Sequence, residues 1–202
     1  MEAKMSTSDH ATRRLFLLTS ALAATGLAFD DVVAEQGLPP TPECRDGDEP
    51  TIRQTEGPFF KPSSPERGEL IEPGIAGQPL ELTGLVLTRS CRPVARALLD
   101  VWQANAAGEY DNSGFRLRGH QYTDAEGRYR LRTIVPGAYV GRTRHIHLKL
   151  QAPGSRLLTT QLYFPGEAKN RSDGLFRREL TMRTAKVGGS LAGRFDFVVD
   201  LS

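Results

Sequence analysis

His145 and His147 have the clearest chemical spacing in the chain. They lie in His145-Ile146-His147-Leu148-Lys149-Leu150, where residue character alternates. On a β-strand, residues i and i+2 project from the same face. Two imidazoles so placed share one space, about 7 Å apart at the Cβ level, which suits two ligands of a single metal ion. The same pattern also decorates strand surfaces without any metal. The chain has four histidines, of which His10 lies in an N-terminal leader-like stretch, so His120 is the only further imidazole. A three-histidine copper or zinc site would use His120, His145 and His147, and no HExxH is present. Spacing alone leaves these readings open.

The elements that must carry such a pair read as strands. Leu80–Leu87 alternates in places, Ala97–Trp102 is a fuller apolar run, and Arg128–Ile134 alternates cleanly. Thr159–Phe164 and Phe195–Leu201 follow. Period-two alternation, broken at roughly ten-residue spacing by Gly, Pro and Asp, predicts an all-β, antiparallel β-sandwich with long irregular loops. Thr123-Asp124-Ala125-Glu126-Gly127 predicts a tight hairpin turn with positive φ at Gly127. No long amphipathic helix, internal repeat or low-complexity segment follows the leader.

Composition narrows the class. Hydrophobic residues make up 39% and charged residues 25% of 202 residues, a soluble globular balance for one domain. A formal net charge of +2 gives no electrostatic case for nucleic acid or an anionic membrane. The arginines between Arg116 and Arg144 read as a solvated strand face. At the N-terminus, Thr12-Arg13-Arg14-Leu15-Phe16-Leu17 opens an apolar stretch reaching Phe29. That predicts a cleavable secretory leader whose paired arginines resemble the twin-arginine export signal, with cleavage after Ala28 or Ala34; an ordinary secretory leader or an uncleaved anchor is the alternative. The expected organisation is a leader over 1–34, an arm over 35–54 and a sandwich domain over 55–202. The expected product is exported to the periplasm or medium of a bacterium, without stable membrane insertion once the leader is removed. Cys44 and Cys91 both follow the leader. In an oxidising compartment they form a disulfide candidate joining the arm to an early strand.

Other pieces surround the histidines in a fixed order: Thr55-Glu56-Gly57-Pro58-Phe59, Leu82-Thr83-Gly84, Asp100-Val101-Trp102-Gln103-Ala104-Asn105 and Gly108-Glu109-Tyr110. Then come Arg118-Gly119-His120-Gln121-Tyr122-Thr123-Asp124, Thr133-Ile134-Val135-Pro136-Gly137-Ala138-Tyr139, Arg142 through His147, and Thr159-Thr160-Gln161-Leu162-Tyr163-Phe164. With these pieces the chain resembles the intradiol ring-cleavage dioxygenases, the group holding protocatechuate 3,4-dioxygenase and catechol 1,2-dioxygenase. The resemblance implies a non-haem Fe(III) ion held by Tyr110, Tyr139, His145 and His147. Tyr110 is then the ligand that stays, and Tyr139 the one displaced by substrate. Arg142 lies beside the substrate ring, with Gln161 near it. The implied oxidoreductase inserts both atoms of O2 into a catechol-type diol and yields a muconate-type diacid. Its partners are a small aromatic diol and O2, and a homo-oligomer is compatible with it.

Chemistry agrees with that donor set. A free phenol, with pKa about 10, is protonated at neutral pH, whereas a trivalent cation favours the phenolate. Two departures stand out. Val140-Gly141-Arg142-Thr143-Arg144 is a shorter link to His145 than in the protocatechuate enzymes, which implies a more open site. No helical N-terminal domain precedes the β core, as it does in the catechol enzymes. The rival readings are an iron-free binding or structural module of the same fold, and a copper or zinc site using His120, which otherwise reads as structural.

Overall fold

The computed structural model describes residues 44–201, apart from 46, 48 and 140. The expected leader and the start of the arm lie outside the described residues. Nine strands and two short 3-10 turns, Ala168–Arg171 and Arg178–Leu180, make up the described secondary structure. No helix among the described residues is long and apolar enough to cross a membrane.

The strands are β1 (Pro79–Thr88), β2 (Leu98–Trp102), β3 (Arg118–Tyr122), β4 (Arg128–Ile134), β5 (His145–Gln151), β6 (Leu158–Tyr163), β7 (Arg183–Val187), β8 (Ser190–Arg194) and β9 (Phe197–Val199). They form two sheets. One runs β4-β1-β8-β7, with β9 also on β1; the other runs β3-β2-β5-β6. Inward side chains of both sheets meet in one core, including Leu82, Val86 and Leu131 from the first and Val101, Leu148 and Leu162 from the second. This is the nearly all-β, two-sheet architecture that the alternation predicts.

Three details differ from the sequence expectation. The first sheet is mixed, because β1 pairs parallel with both β8 and β9. β1 therefore has β4 along one edge and two short consecutive strands along the other. Between them, Phe195 N donates to Thr83 O (3.1 Å) and Leu85 N donates to Asp196 Oδ1 (2.8 Å). Next, Thr123–Gly127 is a tight turn with Gly127 at φ 72°, but it is not a hairpin within one sheet. It carries the chain from β3 in one sheet to β4 in the other. Last, the arginine run is not one solvated face: Arg128, Arg130 and Arg132 are exposed, whereas Arg118 is 1% exposed.

The irregular chain before β1 is stitched to the sandwich. Gln54 N donates to Thr159 O on β6, and Arg67 N donates to His120 O on β3. β6 and β3 are opposite edges of the four-stranded sheet. Residues 55–64 must therefore cross that sheet's outer face. Leu70 N then donates to Arg132 O, fastening the same segment to β4 of the other sheet. Cys44 and Cys91 are linked through their sulfurs with Cα atoms 5.8 Å apart. Cys91 lies in the turn after β1, not on a strand.

Gly84 marks where β1 meets the β8–β9 junction. A Cβ there would fall onto the Phe195 carbonyl, a backbone atom that cannot swing away. Gly84→Ala is expected to cost about 3 kcal/mol by overpacking. Thermal unfolding checks this, and an unchanged Tm would refute the close approach.

Candidate metal centre

His145 and His147 project from the face of β5 opposite the core, since Ile146, Leu148 and Leu150 take the core face. Both histidines are nevertheless buried, because the 55–64 crossing and two loops cover them. Cross-strand pairing sets their neighbours. Trp102 and Gln161 lie directly opposite His147, on β2 and β6, and Tyr163 lies opposite His145. The Trp102 indole stacks on the His147 ring at 4.9 Å between centroids and 8° between planes. Phe60 in turn packs edge-on against Trp102.

The imidazole nitrogens converge. His145 Nδ1 donates to Thr143 O (2.7 Å), which leaves Nε2 with its lone pair. That Nε2 is 3.0 Å from His147 Nε2 and 3.4 Å from Tyr139 Oη. Burial, above all other effects, lowers the pKa of both histidines, that of His145 to about 4. Both rings are thus neutral at pH 7, the form that binds a metal ion.

The tyrosines arrive on loops with their own devices. Tyr110 follows β2, and Asn105 shapes the turn before it: its Oδ1 accepts the N–H groups of Ala107 and Glu109. Asp111, just after, accepts the N–H groups of Ser113, Gly114 and Arg116. Tyr139 follows β4. Gly137 lets its loop lie against the Tyr110 loop, because a Cβ at 137 would sit 2.5 Å from both Ala106 O and Gly108 N. Gln103 ties the roots of the two loops, donating to Ile134 O and accepting from Thr133 Oγ1. The two phenol rings meet edge-on at 5.7 Å, and Phe59 stacks on Tyr110 at 4.2 Å.

Tyr110 Oη is buried and has no hydrogen-bond partner. Burial, followed by the neighbouring Tyr139 phenol, pushes its pKa far above the ordinary tyrosine range. Without a cation this phenol holds its proton, and an orphaned buried hydroxyl carries a desolvation cost. A cation lying among Tyr110, Tyr139, His145 and His147 would remove both problems. The donors fit a hard trivalent ion: two neutral imidazoles and two phenols able to become anionic oxygen ligands. Among the described residues no cluster of three or more His, Cys, Asp or Glu could hold a metal ion. His120 does not join the pair; its Nδ1 bonds Ser64 O (2.8 Å), near Asp100.

Two cations flank the donors, Arg142 half-buried and Arg118 buried. Arg142 Nη1 lies 3.5 Å from Tyr139 Oη, while its Nη2 donates to Gln161 Oε1 (2.6 Å) and its Nε to the Asp173 carboxylate. Burial opposes the Arg142 charge, but the Asp173 hydrogen bond and charge outweigh it and raise its pKa. Gln161 also donates to Thr55 O, and Tyr163 Oη donates to Gln161 Oε1. Arg118 donates through Nη1 to Phe59 O and through Nε and Nη2 to Asp111 O, pinning the residues beside Tyr110. Sequence reasoning missed Asp173 and the structural role of Arg118. Asp173 lies in Ser172-Asp173-Gly174, which reads as an ordinary loop. A cleft of about 570 Å³ borders Tyr110 but reaches neither histidine nor Tyr139, so it is not the donor space.

Known proteins align with this arrangement. A sequence model of the family described as Dioxygenase matches residues 55–200. The protocatechuate 3,4-dioxygenase beta chain of Burkholderia cepacia is 37% identical over 61% of this chain and 65% of its own length. The dioxygenase domain of a dioxygenase carbohydrate-binding protein fusion from Streptomyces sp. SirexAA-E superposes with a TM-score of 0.74 at 53% identity, over 76% of this chain and 100% of that one. The 3-chlorocatechol 1,2-dioxygenase of Rhodococcus opacus 1CP gives 0.71 at 30% identity, over 75% and 73%. The chain spans about half to two thirds of the length of the curated relatives it matches.

The histidine shift has a pH signature in metal-free protein. A histidine held neutral in the fold but protonated in the unfolded chain loses stability as pH falls from about 6.5, its unfolded value, towards about 4. His145 alone accounts for roughly 3 kcal/mol across that window. Denaturant titrations at several pH values are expected to show this loss in the wild type and a weaker one in His145→Gln. Identical pH profiles would contradict it.

Proposed function

The chain belongs to the intradiol dioxygenase family, and from that membership we propose that it is an exported non-haem Fe(III) enzyme opening a catechol-type ring between its two hydroxyl-bearing carbons. The observation carrying this reading is the convergence of Tyr110, Tyr139, His145 and His147 beside the half-buried Arg142. The four side chains would hold the ion. When bound, it supplies Lewis acidity that favours the deprotonated diol over the neutral one. The balance of the reaction is one diol and one O2 giving one diacid. The ring carbon–carbon bond between the hydroxyls breaks, and each of those carbons becomes a carboxyl carbon.

The protein's own groups have distinct tasks. Tyr139 Oη, once deprotonated as a ligand, is the acceptor for one diol proton, because it lies beside the Arg142 cation. Tyr110 is clamped by Phe59 stacking and by the Arg118 bonds to its neighbours, so it is the donor that stays. Arg142 holds a permanent cation where negative charge develops on the ring, and a preorganised charge in a dry site stabilises it strongly. Gln161 keeps the guanidinium in plane through its 2.6 Å bond. Phe59, Phe60 and Trp102 exclude water around the histidine edge. The short Tyr139–His145 link favours an open site, one able to admit substituted catechols. The relatives are named for protocatechuate, catechol and hydroxyquinol, and diols of this class are the proposed substrates. The twin-arginine-like start and the Cys44–Cys91 link support export to an oxidising compartment.

Iron-loaded protein is expected to be red-brown, to consume O2 with a catechol panel and to give diacids cleaved between the hydroxyls, identified by mass. Colourless, iron-free protein, or products cleaved beside the hydroxyls, would defeat this function. Tyr110→Phe is expected to lose most visible absorbance and turnover. A variant keeping both would remove Tyr110 from the metal set.

A further inference from the structure

Asp173 is 7% exposed and lies on a loop 26 positions after His147. Its carboxylate gathers donors from three directions. Oδ1 accepts Arg142 Nε (3.2 Å) and Leu175 N (2.9 Å), and Oδ2 accepts Arg142 Nε (3.0 Å) and Thr143 N (2.9 Å). The same Thr143 offers its carbonyl to His145 Nδ1 at 2.7 Å. Thr143 Oγ1 also donates to Asn170 Oδ1 (2.7 Å), so the Asp173 loop grips this residue twice.

We propose that Asp173 is a positioning residue of the ring-opening site: one buried carboxylate fixes the Arg142 guanidinium beside Tyr139 and, through the Thr143 peptide, the rotation of His145. This rests on the functional reading above. The physical case is one of alternatives. Arg142 has two further acceptors, Gln161 Oε1 and Tyr139 Oη, and neither is an ionised carboxylate. Without Asp173 its charge would be drawn onto the Tyr139 oxygen, the atom that must exchange a proton with substrate. Asp173 thus holds the cation close to Tyr139 but anchored elsewhere. Charge-assisted bonds are the strong ones, and this pair is shielded from water on both sides. Asp173 touches none of the four donors directly.

The test is a double-mutant cycle with Asp173→Asn and Arg142→Ala in the iron-loaded protein. Asp173→Asn keeps the shape but presents an amide where two carboxylate oxygens accept. It is expected to retain the visible band, to lower kcat by roughly 100-fold, as small misplacements of catalytic groups do, and to change KM far less. The double variant is expected to fall well short of the product of the two single losses, because much of the carboxylate's effect passes through the arginine. Wild-type kcat in Asp173→Asn, or losses that multiply in the double variant, would overturn the proposal. A readout free of turnover comes from NMR of the iron-free protein. The Arg142 Nε–H, assigned by its absence from Arg142→Ala, is expected to exchange slowly in the wild type and to lose that protection in Asp173→Asn; protection that survives in Asp173→Asn would also overturn it. If Asp173→Asn does not fold, Asp173→Glu keeps the charge but shifts it by a methylene, and a folded Asp173→Glu with wild-type kcat overturns the proposal equally. Wild-type protein that opens no catechol would defeat the functional reading instead, leaving the NMR arm to judge the Asp173–Arg142 link.

Discussion

A strand has two faces, and β5 has to bury both. Ile146, Leu148 and Leu150 take the sandwich core, as any central strand would. The opposite face carries two imidazoles, and no second sheet is available to cover them. The chain solves this with residues 55–64, which cross from the β6 edge to the β3 edge of the same sheet. Everything else at the site depends on that crossing. It supplies Phe59 to the Tyr110 ring, Phe60 to Trp102, and the Thr55 carbonyl to Gln161. It also turns a solvent face into a low-dielectric space, in which neutral histidines and guarded phenols persist.

Within that space the charges are arranged asymmetrically. Arg118 sits behind Tyr110 and spends its donors on backbone carbonyls, so it fixes position. Arg142 sits beside Tyr139 with a carboxylate behind it, so it keeps its charge and direction. One phenol is therefore braced, and the other is left next to a cation held in place by its own carboxylate. The difference arises from loop anchoring, since both rings are tyrosines on comparable irregular segments.

Local regularity decides how much of this was legible in the sequence. The histidine pair was readable because period-two alternation projects i and i+2 together. β4 and β5 stood out for the same reason. Tyr110, Tyr139, Arg142 and Gln161 have no such periodic signature and became visible only through the ordered motifs around them. Asp173 was not legible, because the partners that tie it to the site, Thr143 and Arg142, lie 30 and 31 positions away and its own neighbours look like any turn. The burial of Arg118 was hidden in a stretch of otherwise exposed arginines. β7 and β8 escaped notice since Arg183-Thr184-Ala185-Lys186-Val187 and Ser190-Leu191-Ala192-Gly193-Arg194 are short and weakly apolar, and pairing alone makes them strands. The parallel contacts of β1 depend on register over more than a hundred residues, which no local pattern encodes.

The position of β1 has a consequence for the order in which the molecule forms. It is the first strand of the sandwich to be synthesised, yet its neighbours are β4 at 128–134 and β8 and β9 at 190–199. The edge that takes β8 and β9 stays open until nearly the whole domain has left the ribosome. Such long-range closure makes for slow folding and a prolonged exposure of sticky strand edges. Glu81, set among the leucines of β1, interrupts its apolar run with a charge, a feature that disfavours premature pairing with other chains during that interval.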